Sequence, residues 1–503
     1  MIRQPALAIV LPLLFYPVVQ VSSAAADELI AQGSADTHGL VRMWSMQMDI
    51  DRSRSRVQSV VLDRGVLIVQ TDAAMVQAFD AETGRPVWSA PRVVGNPRKP
   101  TLAPAVNKNF VAVVNGSRVY VYNRYNGDLL WQSDIDGVPA AGPALVGQRV
   151  LVPTISGLIH AYRLKPVEKI ETVKGKKAQA VSVLDTAPES VRLVQEHFTP
   201  LACQSSGSLA AAPMLLSSAD EEDLVAWPTN SGALLIAGIP HSGSQFAVRR
   251  RFLAGTAAVG GLAYRPSEGK DPGLVYVVSR EGLVHAVNER TGQTVWEFPV
   301  AEAVSEPPAV VGPNVYVAVQ LGGMFCLDAK TGVQRWAAPL VTQFVAAGRD
   351  RIYAVDKLQR LVSLDPRTGS RLDSFDVHGS PFRLANVQTD RIYLVGQQGL
   401  IQCLRDTRQI EPLVYHLEQK PIDKKEKEKP AVVKKAAHAE HKPKPAADGM
   451  AVEEEEKPKK AAHKAREPKE PKEKKAKKGK KDDGFGANPN PFGAKPAAKE
   501  KST

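Results

Sequence analysis

Ten histidines and three cysteines are the side chains of this chain best suited to holding a metal or attacking a substrate. Their spacing argues against both roles. Cys203, Cys326 and Cys403 are isolated, whereas a zinc site or a redox pair needs cysteines a few residues apart. Cys326 and Cys403 stand where comparable segments carry Ala78, Ala161 and Ala286, so each reads as a small buried thiol. Cys203 lies in an irregular stretch and reads as a free thiol. His160 and His285 precede Ala161 and Ala286, at a position that elsewhere holds Gln77, Tyr120, Phe325, Val362 or Gln402. A ring of metal ligands would not tolerate that variety. His438, His441 and His463 fall in a charged tail, where metal uptake would be adventitious. There is no H-x-x-x-H pair, phosphate loop or G-x-S-x-G elbow. Asp134, Asp136 and Asp356 sit on turns where a catalytic acid could hide, although single acids on turns are ordinarily just solvated. The chain is therefore expected to be no enzyme, with no catalytic, cofactor-binding or metal-binding residues and no cofactor.

The comparable segments are copies of one phrase. Its first copy reads Ala78-Phe79-Asp80-Ala81-Glu82-Thr83-Gly84-Arg85-Pro86-Val87-Trp88, and later copies span 121–131, 286–296, 326–336 and 363–373. Their glycines are Gly84, Gly127, Gly292, Gly332 and Gly369, and adjacent copies are spaced by 43, 40 and 37 residues. A period near 40 suits a four-stranded propeller blade. In the clearest copy, the apolar run 274–279 and the run 283–288 read as two buried strands joined by Glu281-Gly282, and 293–298 as a third. Asn288 can bond backbone ahead of it, and glycine accepts the positive φ that closes a short hairpin. The Asx-x-x-Thr-Gly spelling therefore needs no ligand to explain it. Trp88, Trp131, Trp296 and Trp336 would fall on the outer strands and wedge between blades.

Weaker copies at 157–162 and 231–236 raise the count to eight units, beginning near Val57, Thr101, Pro139, Ser208, Thr256, Val304, Val341 and Ser380. Trp44 stands 44 residues before Trp88 on an apolar segment, so the N-terminal strand is a candidate to complete the last blade; residues 412–417 are its rival. The fold class is thus all-β, an eight-bladed propeller with four-stranded antiparallel blades over residues 27–417. Residues 165–206 read as an insertion in the third blade, with a short helix at 189–198.

The pattern A-x-D/N-x-x-T-G-x-x-x-W resembles the tryptophan-docking repeat of quinoprotein-type propellers, the fold of pyrroloquinoline quinone dehydrogenases. The copies at 78–88 and 286–296 match it in full; the copy at 363–373 has Asp373 in place of the tryptophan. In size and organisation the chain is similar to the propeller subunit of the outer-membrane β-barrel assembly machine. That resemblance implies a non-enzymatic scaffold, with envelope or outer-membrane proteins as partners. The alternative implied by the wider family is a pyrroloquinoline-quinone-dependent oxidoreductase, but the vicinal cysteine pair usual in that family is missing.

Composition places the scaffold. A basic start, an apolar stretch at 6–21 and Ser22-Ser23-Ala24-Ala25-Ala26 read as a signal peptide at 1–26, hence export to the periplasm or beyond as a form that does not span the membrane. Residues 418–503 are rich in Lys, Glu, Ala and Pro and read as a disordered tail with 25 Lys and Arg against 16 Asp and Glu. The net charge of +12 is therefore mostly the tail's. Its basic block at 474–481 offers contact with an anionic polymer or cell wall, a second alternative function. No aromatic interleaving suggests a nucleic-acid site. Phe485 and Phe492 repeat in a Phe-Gly-Ala phrase and are candidate docking anchors.

Overall fold

The computed structural model describes residues 28–415, apart from 168, 172–178, 182–187, 196–198, 220, 243–244, 256–259, 301, 305 and 378–381. The expected signal peptide and tail, with Phe485 and Phe492, lie outside the described residues. By internal contacts the chain divides at residue 422, and the unit before it contains the whole propeller.

Eight antiparallel sheets of four strands form the blades. Blades 1 to 7 span 57–93, 105–134, 144–204, 214–253, 263–299, 309–339 and 341–376. Within each, strands A to D follow in chain order, the A strands of neighbouring blades meeting around the axis. In blade 5 these are Ala263–Arg265, Leu274–Val278, Leu283–Asn288 and Thr294–Pro299. The second strands are buried on both sides, as in Phe110–Asn115, because each blade is covered by a neighbour on both faces. Their apolar runs therefore do not alternate. The core is layered accordingly, with one apolar cluster in each seam: Ile68, Trp88 and Tyr122 meet between blades 1 and 2, and Tyr276, Trp296 and Val317 between blades 5 and 6.

Blade 8 decides which terminal strand closes the ring. Its outer strand is Leu40–Gln47, paired antiparallel with Leu400–Asp406, with Trp44 opposite Cys403. The rival segment instead runs over the blade, with Val414 bridging Thr389 and the Tyr415 hydroxyl donating to the Ala347 carbonyl at 2.7 Å. Arg391, fully buried, crosses from blade 8 to blade 1 and meets the Glu82 carboxylate at 3.2 Å.

Two expectations change. The third blade's own outer strand, Leu201–Gln204, lies inside the stretch read as insertion, which therefore ends before it. Over the described residues 188–195 the short helix does not form: one 3-10 turn at Pro188–Ser190 is followed by irregular chain, because Val191 and Leu193 are drawn into the core beside Trp131. The inserted segment also pairs Lys169–Glu171 with Gln179–Val181 as a separate hairpin.

Candidate interaction face

The phrase first read in the sequence builds a turn between strands C and D. Asp80 Oδ1 accepts the Thr83 amide and hydroxyl, each at 2.7 Å, and the Gly84 amide donates to the Asp80 carbonyl at 2.8 Å. The tryptophans ending three of the copies, and Trp44, dock on the next blade's turn. The Trp88 indole donates to the Arg124 carbonyl at 2.8 Å and lies so close to Gly127 that a Cβ there would stand 2.7 Å from the ring. Trp44 donates to Ala81, Trp296 to Ala329 and Trp336 to Pro366, over Gly84, Gly332 and Gly369. A glycine at φ near +70° both closes the turn and leaves room for an indole.

Two of the singled-out residues sit differently. Among the described residues Trp131 meets no glycine turn; the inserted segment packs Val191 and Leu193 beside it instead. Gly292 receives no indole; Arg250 lies against it and donates through Nε to the Arg290 carbonyl at 3.0 Å. The register explains why Arg250 went unnoticed. In six blades a β-bulge on the outer strand precedes the docking position, which is held by Trp44, Trp131, Arg250, Trp296, Trp336 and Asp373. Around Arg250 the turn is longer and lacks the Thr-Gly signal, so only strand pairing reveals the equivalence.

The B–C hairpins and D–A linkers occupy one face of the ring, where the backbone is fastened on both sides. The amides of Asp72, Ile155, Asn230, Gln320 and Lys357 donate to carbonyls of Arg56, Val138, Ser208, Ala303 and Leu340 in the preceding linkers, at 2.9 to 3.0 Å. At the far end of a hairpin, a carbonyl such as that of Gly157 or Gly322 accepts the amide leaving its own outer strand. Such hairpins are held at their base, and they leave one to three residues each exposed to solvent.

Most tips are polar or small, but three carry large apolar side chains. Leu321 is 70% exposed, Leu358 is 71% exposed and Ile155 is 60% exposed. Leu340, 53% exposed, is the sole link between the strands Gln334–Pro339 and Val341–Ala347. It holds a left-handed backbone at φ +64°, donates its amide to Gly322 and accepts the Lys357 amide, so it ties together the hairpins bearing Leu321 and Leu358. A leucine in that conformation costs about 1 kcal/mol. Three exposed leucines stand on tied loops, with the Lys357 side chain lying over Gly322 beside them, and together they make a partly apolar patch of the kind that marks protein contact.

Asp356, read in the sequence as an acid on a turn, stands at the base of this patch. Its Oδ1 accepts the Leu358 amide at 2.9 Å and the Arg360 amide at 3.0 Å, while Oδ2 meets Arg360 at 2.7 Å and Arg371 at 3.2 Å. Burial alone would raise its pKa, but these donors lower it below the usual carboxylate value. It shapes the hairpin. Asp134 is paired with Arg118. His160 Nε2 lies 3.0 Å from the Asp136 carbonyl and His285 Nδ1 lies 3.1 Å from Glu297.

The thiols and the acid singled out in the sequence are engaged in packing and in turn geometry. Cys203, Cys326 and Cys403 are buried in blades 3, 6 and 8, and burial pushes the Cys326 thiol up to about 12. Among the described residues no group of three or more His, Cys, Asp or Glu is arranged to hold a metal. Nor, among them, is any helix long and apolar enough to cross a membrane.

Known proteins resemble this ring. The family described as outer membrane protein assembly factor BamB matches residues 41–170 and 280–409, just over half of the chain. The assembly factor BamB of Salmonella typhimurium is 31% identical over 113 residues, covering 20% of this chain and 29% of that protein. Subunit 1 of the cytochrome c methanol dehydrogenase of Methylorubrum extorquens is 35% identical over 89 residues, covering 16% of this chain and 14% of that subunit. Each match thus spans less than a third of the relative's own length. The crystal structure of BamB from Moraxella catarrhalis shares the fold at a TM-score of 0.50 and 14% identity, covering 73% of this chain and 97% of that one. With just over half of the chain matched by that family model, the chain belongs to the family of the outer membrane protein assembly factor BamB.

Proposed function

We propose that this protein is an exported, non-enzymatic scaffold of the bacterial cell envelope that holds a protein partner in outer-membrane protein assembly. The observation that carries the reading is the patch of Leu321 and Leu358, exposed on neighbouring hairpins, and Leu340, exposed on the linker whose backbone is hydrogen-bonded to both. Burying one such leucine against a partner is worth roughly 2 kcal/mol, and rigid loops lose little entropy on docking. Family membership supplies the biological direction. The quinoprotein reading is the weaker one, because the cysteines and acids are placed for packing and turn geometry.

The test is site-directed crosslinking from the B–C face in the native envelope, with captured proteins identified by mass spectrometry. Outer-membrane proteins or their assembly subunits are expected, and L321D/L358D should abolish capture while leaving the melting temperature within a few degrees. Capture that is unchanged in the double variant would rule out this face. Export is checked separately: the mature protein should begin at Asp27.

A further inference from the structure

The outer strand of blade 4, Ala247–Leu253, breaks the pattern of the ring twice. It places Arg250 where four other blades place an indole on a glycine turn, although that turn is intact: Asn288 Oδ1 accepts the amides of Arg290 and Thr291 at 2.9 and 3.0 Å. It also exposes four consecutive residues, Val248, Arg249, Arg250 and Arg251, which no other outer strand does. Every other outer strand carries at most one Lys or Arg. The strand lies between the two stretches that match the family.

A charge on an edge strand ordinarily prevents pairing with another chain. One suffices for that, and three in a row sacrifice an indole seam as well. Only part of the charge is used within the ring. Arg249 meets Glu222 at 2.8 Å with its side chain 42% exposed. Arg250 spends its donors on the backbone carbonyls of Arg290 and Arg249. The Arg251 side chain has no hydrogen bond or ion pair among the described residues. Arg290, 70% exposed in the adjoining turn and 3.8 Å from the buried Glu289 carboxylate, extends the strip of arginines. Beneath it, the bulge opposite Ile236 and Ala237 leaves Arg249 without a cross-strand partner.

We propose that this edge binds an extended acidic segment of a partner protein, which adds to blade 4 as a fifth strand. Main-chain hydrogen bonds would supply the pairing, and alternating carboxylates would meet the arginines, giving a contact that weakens as salt is added. The site is separate from the leucine patch, so either can fail without the other.

The experiment uses the full chain and a fluorescent peptide of alternating valine and glutamate. Binding should protect the amides of 247–253 from hydrogen exchange. R249E/R251E should weaken binding about tenfold or more, and R249Q/R251Q by less, with both variants melting like the parent. The same peptide methylated at alternate backbone nitrogens should not bind. The proposal is overturned if protection appears only outside this strand, if both double variants bind as the parent does, or if the methylated peptide binds equally well. Stronger protection of the strand by polyphosphate than by the peptide would also overturn it, since the site would then be one for anionic polymers.

Discussion

A tryptophan in this ring is a joint between blades, and its worth follows from what it fills. Trp88 is fully buried, and its indole nitrogen is satisfied by Arg124 across the seam. Trp88→Ala should destabilise the ring by ~3–5 kcal/mol through the cavity and the orphaned carbonyl, read by denaturant unfolding. A loss below about 1 kcal/mol would show that the seam does not depend on the indole. The turns add an acid-sensitive component. Burial would raise the pKa of Asp328, but Arg335 and the Thr331 and Lys330 donors bring it down to about 2. A folded value below the unfolded value of about 3.8 means the unfolded chain binds the proton first. Its stabilising effect is therefore full above pH ~4 and lost as the pH falls toward 2. Asp328→Asn should lessen the drop in melting temperature across that window, and an unchanged acid profile would refute the assignment. Residue chemistry of this kind was largely legible in the sequence, because an Asx side chain and a glycine act within a few positions of their own backbone. The role of Asp356 was not, since only folding brings Arg371 to it and shows that it shapes the Leu358 hairpin.

At the level of strands and seams, the ring is unevenly clamped. Indoles on glycine turns join blade 8 to 1, 1 to 2, 5 to 6 and 6 to 7, whereas blade 4 meets blade 5 through Arg250. The receiving turn at Gly292 has the same φ and the same Asx bonds as the occupied ones. Arg250→Trp should therefore fit, raising stability by roughly 1–2 kcal/mol and the melting temperature by a few degrees. A fall on thermal denaturation would mean the slot differs in shape. The sequence reading found the units whose turn and tryptophan keep their short spacing. It missed Arg250, and it expected a helix at 189–198. Both errors have one cause: the longer connections of blades 3 and 4 hide the docking register, and Val191 and Leu193 follow the demands of Trp131 and not a local period.

For the whole molecule, closure is the dominant constraint. An open ring would expose a sheet edge and an apolar blade face, and the strand Leu40–Gln47 prevents that by completing blade 8. Because the propeller carries its own core in eight seams, a chain ended after residue 417 should still unfold in one cooperative thermal transition. A broad or absent transition by calorimetry would show that the remainder of the chain contributes to the fold. Repetition along the chain was enough to determine the fold class, the number of blades and the glycine turns, since those depend on local spacing and on apolar runs recurring with one period. Which terminal strand closes the ring, which seams lack an indole, and the gathering of Leu321, Leu340 and Leu358 onto one face were decided only by tertiary structure. These depend on pairing between residues distant in the chain, where hydrogen-bond register and burial, unlike neighbouring sequence, set what meets what.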